Sequence, residues 1–347
     1  MRGQASTSGT VQTSSIPREN TALLTSLAIG DSLLLMIVAQ NLRRHGIAVT
    51  VFGPHIHRLR AWFPGFDIRE ELPGDAAECP AEFRTVIQLH EPGTDAPQRR
   101  IVALENLRRL KVPASLAQRL ANFSRDSLGL AQADKYNGLV PPPGLVYRKH
   151  ASRVAIHPMA STPDKRWLAS RFVALAVRLK RRGLDPQFIV GPSERPQWEH
   201  VQELGIGLPR LGALENVTAW LFESGWFIGN DSGIGHLASN LHVPALSLFM
   251  RRGSARTWRP DWGPGRILIG SDGIPMGKLK EKLWKYALTS GRVERAFNQL
   301  QSQVSAKQTD LPWDKAQENT ARPSGNATRA IMPPARFLPA PADDTES

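Results

Sequence analysis

The residues best suited to chemistry lie in four short segments, each where an apolar run meets a helical pattern. Residues 227–249 read FIGNDSGIGHLASNLHVPALSLF: a strand, a glycine-rich loop and a short helix. Backbone N–H groups at such a helix start form an anion site suited to a phosphate or pyrophosphate. Gly233 and Gly235 allow close approach to the backbone, Asp231 and Ser232 supply an acceptor and a donor, and His236 opens the helix. The bland reading is a capped turn with Asp231 and Ser232 as N-cap residues. Residues 157–167, HPMASTPDKRW, leave a second strand. There Ser161 and Thr162 are hydroxyl donors for a phosphate and Lys165 is a flexible cation, or the segment is a polar surface loop. Glu194 follows a third strand, where a carboxylate suits a ribose diol, although the helix dipole alone favours a glutamate at that place. Asp31 ends the first apolar run, either as a helix cap or as the general base that an acceptor hydroxyl requires.

Several other chemistries are excluded by spacing. Ser232 lacks the glycine two residues before it that a hydrolase nucleophile elbow needs. Gly229, Gly233 and Gly235 do not have the dinucleotide-binding spacing, and no phosphate-binding loop of Gly-x-x-x-x-Gly-Lys-Ser/Thr type occurs. His55 with His57, and His236 with His242, lack the carboxylates that would complete a metal site, and Cys79 is the single cysteine. No metal ligands are therefore assigned.

The elements that must hold these segments alternate between strand and helix. Residues 21–28 read as a buried strand and residues 33–44 as a helix with Asp31 or Ser32 as N-cap and Gly46 beyond its end. Residues 47–52 follow as a strand, a βαβ unit that implies a parallel sheet. A strand is expected at 85–89, a basic helical stretch at 101–122 and a linker at the prolines 141–143. Beyond it, strands are expected at 153–157, 186–190, 225–228 and 245–249, with helices at 167–182, 194–204, 213–224 and 236–241. Residues 278–300 form a basic helical region. The reading is an α/β protein of two doubly wound domains, 19–148 and 149–300, between a leader (1–18) and a tail (301–347) expected to be disordered.

The chain carries 44 Lys+Arg against 31 Asp+Glu, a net charge of +13. That charge is +5 over residues 1–150, +9 over 151–300 and −1 over 301–347, so it belongs to the part that folds. Such a field favours phosphorylated ligands, anionic lipid or nucleic acid. Nucleic acid is disfavoured, because no helix-turn-helix, zinc-finger or RNP-like pattern occurs and only three tyrosines are present. Residues 21–40 are apolar enough to raise a membrane span, but Gly30 and Asp31 stand in their middle, and a carboxylate at the bilayer centre costs about 3 kcal/mol. A cytoplasmic monomer is expected, with the helix at 278–285 (KLKEKLWK) a candidate for peripheral contact with the inner membrane.

Taken together, the segments resemble glycosyltransferase family 9, which includes the lipopolysaccharide core heptosyltransferases. The run Asn230-Asp231-Ser232-Gly233 with His236-Leu237-Ala238, Pro244 and Leu248-Phe249 is similar to the family signature. His157-Pro158 before Lys165-Arg166-Trp167, and Ile29-Gly30-Asp31 before Leu42-Arg43-Arg44, resemble its other two motifs. The resemblance implies a GT-B fold and inverting, metal-independent transfer of a heptose from an ADP-heptose donor to a lipid-linked, anionic saccharide. It implies Asp31 as base, and a donor site of Ser161, Thr162, Lys165, Glu194, Asp231, Ser232, Gly233 and His236, with no cofactor beyond the nucleotide sugar. The basic, aromatic segment 251–264 adds Arg252 and Arg256 as candidates for an acceptor or phosphate. The competing expectation is a degenerate member that binds a nucleotide sugar or anionic glycan without turnover.

Overall fold

The computed structural model describes residues 20–91, 93, 97–270, 279–306 and 311–313, with backbone only at 279–282. The expected leader and all of the expected tail beyond 313 lie outside these residues. Residues 1–311 form one compact unit; of a second, 312–347, only Pro312 and Trp313 are described.

The first unit contains two parallel five-stranded sheets. In the first, β1 (Thr21–Leu24), β2 (Val49–Phe52), β3 (Asp67–Arg69), β4 (Thr85–Gln88) and β5 (Arg100–Ala103) take the order β3-β2-β1-β4-β5. In the second, β6 (His150–His157), β7 (Asp185–Phe188), β8 (Ser224–Asn230), β9 (Ala245–Phe249) and β10 (Gly265–Ile269) take the order β10-β9-β8-β6-β7. The strand order reverses between β1 and β4 and between β6 and β8. The crevice beyond the carboxyl ends of strands at such a point is where ligands bind in this class of sheet.

Helices α1 (Ile29–Arg44), α2 (Pro54–Arg58), α3 (Glu105–Arg109) and α4 (Leu116–Asp126) accompany the first sheet. Helices α5 (Ala169–Arg181), α6 (Leu214–Phe222), α7 (Gly233–Asn240), α8 (Arg252–Trp258), α9 (Leu279–Ala287) and α10 (Ser290–Ser305) accompany the second. Helix α1 is buried on every side from Ser32 to Leu42, packed between α4 and α7. That is why its sequence is apolar all round and suggests a membrane span. No described helix is long and apolar enough to cross a membrane.

Several sequence expectations change. Helix α1 begins at Ile29, with Ala28 rather than Asp31 or Ser32 as its N-cap residue. The Ser32 hydroxyl lies 2.8 Å from the Ser26 carbonyl and 3.0 Å from that of Ala28, inside the first turn. Residues 251–264 hold helix α8 rather than only a loop. The basic stretch at 101–122 divides into β5, α3 and α4. The strands missing from the sequence reading, β3, β5 and β10, are partly exposed along most of their length, so none shows a continuous apolar run. Helix α10 also continues to Ser305, beyond the expected boundary at 300.

The two sheets have separate cores. Val154, Ile156, Phe172, Ile228, Trp284 and Phe297 anchor the second, and Leu24, Phe52, Phe83 and Val86 the first. Between the sheets, Asn137 and Asn240 exchange buried side-chain hydrogen bonds at 3.0 and 3.1 Å. The Trp262 indole donates to the Lys135 carbonyl at 2.8 Å, and the Ser115 hydroxyl to Asp261 at 2.6 Å. Each pair joins one half of the chain to the other.

Candidate active site

The crevice is built on the meeting of two helix N-termini. A Cβ on Gly233, the first residue of α7, would lie 2.3 Å from Ile29 Cγ2 and 3.1 Å from the Gly30 backbone nitrogen. A Cβ on Gly30 would lie 3.3 Å from the His236 ring. Glycine at both places therefore lets the starts of α1 and α7 touch. Their unpaired N–H groups and positive dipole ends converge on one space.

That space is a cavity of about 490 Å³ lined by Asp31, Arg108, Ser161, Lys165, Asp231, Ser232, Gly233, His236 and Trp258, among others. One cation and one carboxylate of this lining are paired: Lys165 Nζ lies 3.1 Å from Asp231 Oδ2, which also accepts from the Ser254 hydroxyl at 3.3 Å. Ser232 is the N-cap of α7, and its oxygen accepts from the Gly235 N–H at 3.3 Å. Its own O–H is left to donate elsewhere. The capped turn and the anion site are thus the same structure.

Asp31 stands in the first turn of α1 and opens into this cavity. Burial raises its carboxyl above the ordinary carboxylate range, and the positive charges of Arg108, His90 and Lys165 oppose that rise. His236 is 5% exposed and its imidazole is pushed down to about 4, chiefly by burial, so it is neutral at pH 7. Its Nδ1 has no partner among the described residues. Its ring stands edge-on to Trp262 with centroids 6.0 Å apart.

Other expected residues lie apart from this cavity. Glu194 lines a neighbouring cavity of about 440 Å³ with His157, Gly191, Arg195, Gly212 and Ile234, and accepts from the Gly191 N–H at 2.9 Å. Ile234 sits on α7 beside Gly233, so the two spaces share that helix start. The Thr162 side chain is bonded to the Asp164 carboxylate, which that bond holds below its usual range. Arg252 and Arg256 are exposed on α8 and line neither cavity. Their neighbour Arg251 lines a further space with Asp164, Lys165, Asp231 and Ser254.

The sequence marked Trp258 only as an aromatic of the segment 251–264 and did not single out Arg108. The Arg108 guanidinium, on α3, lies 4.8 Å from the centre of the Trp258 ring, on α8. This cation–π contact joins the two sides of the cavity mouth. Both residues sit in stretches marked as basic or aromatic, but only the tertiary structure brings them together. A second cavity of about 560 Å³ lies at the β1/β4 reversal, lined by Thr25, Ser26, Asp75, Gln88, His90 and Glu91. Leu27 borders both it and the Asp31 cavity.

A model of glycosyltransferase family 9 (heptosyltransferase) matches residues 99–282, more than half of the chain. The chain belongs to glycosyltransferase family 9. A family 9 glycosyl transferase from Veillonella parvula superposes with a TM-score of 0.63 at 16% identity, over 83% of this chain and 99% of that one. E. coli heptosyltransferase WaaC, solved with ADP, gives 0.58 at 14% identity over 81% and 99%. E. coli ADP-heptose lipopolysaccharide heptosyltransferase II gives 0.57 at 16% over 83% and 99%. No curated protein matches the chain. The fold is therefore GT-B, as the motifs implied, and the family's activity is glycosyl transfer. The family match takes in the segments of Lys165, Glu194 and Asp231 but begins after Asp31. Among the described residues, no group of three or more His, Cys, Asp or Glu is placed to hold a metal ion.

Proposed function

We propose that this family 9 glycosyltransferase transfers a heptose, with inversion, from ADP-heptose to a hydroxyl of an anionic, lipid-linked saccharide at the cytoplasmic face of the inner membrane. The observation that carries the reading is the placement of Asp31 and the α7 anion site in one cavity. A base and a leaving-group site must face each other for a single displacement. The nucleoside occupies the Glu194 cavity, where the carboxylate takes the ribose diol, and the pyrophosphate lies at the start of α7. The Ser161 and Ser232 hydroxyls and Lys165 contact its oxygens. The unpaired Nδ1 of His236 is left for a polar atom of the donor.

The acceptor enters through the β1/β4 cavity, whose hydroxyl, amide and carboxylate groups suit a polyhydroxylated ligand, and Arg108 neutralises its negative group. Asp31 takes the proton from the acceptor hydroxyl as that oxygen bonds to the anomeric carbon. The bond from that carbon to the pyrophosphate oxygen breaks. Charge growing on the departing oxygen meets Lys165 and the α7 dipole, which are already in position.

The test is a thermal-shift series with nucleotide sugars followed by turnover. ADP-heptose at about a hundred times its Kd should stabilise the fold by about 2.7 kcal/mol, and UDP- and GDP-sugars at the same concentration should not. Equal stabilisation by all three, or none by ADP-heptose, would overturn the donor assignment. Binding without transfer to any lipid-linked acceptor would favour the degenerate reading instead.

A further inference from the structure

We infer that the loop between α3 and α4 is the surface by which the protein docks on an anionic phospholipid bilayer, holding the crevice mouth toward it. Residues 109–113, Arg-Leu-Lys-Val-Pro, are five exposed residues in a row. Leu110 is 46% and Val112 39% exposed, and cations alternate with them at Arg109 and Lys111. Aliphatic tips between basic side chains suit an interface where the first enter the acyl boundary and the second meet phosphate headgroups.

The loop cannot fold these tips away. The Arg119 guanidinium, buried beneath it, donates to the carbonyls of Ala114 and Leu107 at 2.9 Å, Val112 at 3.1 Å and Arg108 at 3.3 Å. It also reaches the Thr257 hydroxyl at 3.3 Å, which fastens the loop to α8. Burial depresses the Arg119 guanidinium, and the nearby charges of Arg259 and Arg256 depress it further, so both arginines add positive charge to the same side. Glu105 pairs with Arg109 on this face, which leaves Lys111, Arg256 and Arg259 in excess, so the surface around Leu110 and Val112 is net positive, the complement of an anionic membrane rather than of another basic copy of this chain.

Position supports the same occupant. Arg108, the residue before the loop, lines the Asp31 cavity, and Leu27, 78% exposed, borders both cavities. A membrane under this loop would present its lipid-anchored saccharides at the crevice. Helix α9, the sequence's candidate for membrane contact, also exposes Leu283 and Tyr286, but none of its described residues lines the Asp31 cavity. Its Trp284 is fully buried, and its Lys285 is bonded to the Pro163 carbonyl at 2.6 Å.

The inference rests on the acceptor being lipid-linked, but its test does not require turnover. The full-length protein is sedimented with vesicles of phosphatidylethanolamine and phosphatidylglycerol, about three to one, and with phosphatidylcholine alone. It should pellet with the first and not the second. The double variant Leu110→Ser/Val112→Ser, and separately Lys111→Glu, should each lower the partition coefficient about tenfold. Their melting temperatures and their donor-induced thermal shifts should match the parent. If the serine pair fails to fold, Lys111→Glu alone decides. Failure of the parent to pellet with anionic vesicles, parent-like pelleting of the variants, or a change in oligomer size in place of a change in lipid binding would each overturn the docking surface. A failed donor shift in the parent would instead count against the proposed donor.

Discussion

Asp31 is a carboxylate held in an unfavourable place for charge. Burial raises its carboxyl, and Coulombic attraction to Arg108 and Lys165 opposes that rise. A base with a raised pKa accepts a proton more readily once deprotonated, which suits it to a hydroxyl. Asp31→Asn should therefore lower kcat by about 10²–10⁴-fold while donor affinity, measured calorimetrically, stays close to the parent. Unchanged turnover would remove Asp31 as base. The proton balance also sets a pH dependence. The active form is the carboxylate, so kcat/KM should rise with pH through an acid limb lying above the ordinary carboxylate range. Arg108→Ala removes the largest opposing charge and should move that limb to higher pH. A limb that stays in place would separate Arg108 electrically from Asp31.

At the scale of elements, the decisive feature is the contact of α1 with α7. A methyl on Gly233 would have to displace Ile29, with Gly30 close behind it. Gly233→Ala should destabilise the protein by about 1–3 kcal/mol and weaken donor binding, both read by thermal denaturation with and without nucleotide. Retained stability with full donor binding would show that the two helix starts separate without cost. Helix α7 begins at Gly233, three residues before the expected start at 236, although its cap, Ser232, was legible from the sequence. The start of α1 was not. The cap preference of Asp31 and Ser32 suggested a later start, but Ser32 turns its hydroxyl back to the Ser26 and Ala28 carbonyls. The result matters for chemistry, since a capping Asp31 would have its carboxylate occupied by backbone N–H groups. Likewise β3, β5 and β10 escaped notice because short, half-exposed strands need no continuous apolar run.

At the scale of the whole molecule, three histidines set an acid limit on the fold. Burial pushes His236 and His242 down to about 4 and lowers His157. The unfolded chain takes up protons on these groups near pH 6.5, whereas the folded chain does not. Stability present above that pH is therefore lost as pH falls toward 4, by an amount on the order of 3 kcal/mol for His236. Chemical denaturation at pH 7.5, 6 and 5 should show this decline, and His236→Asn should flatten it (a slope unchanged in that variant would assign the loss elsewhere). The positive charge also acquires locations. Part lines the crevice at Lys165 and Arg251, and part lies on the α3–α4 segment at Arg109 and Lys111.

The sequence alone determined the alternation of strands and helices, the parallel sheets and the capped turn at Ser232. These depend on local periodicity and on residues within a few positions of one another. It also supplied the segments of Lys165, Glu194 and Asp231, which the family match covers. The tertiary structure alone decided which of these residues share a space. It brought Asp31 to the α7 turn, set Glu194 in the adjoining cavity and placed Arg108 on Trp258. Such contacts join residues far apart in the chain, and their distances follow from how whole helices pack. No local pattern of side chains encodes them.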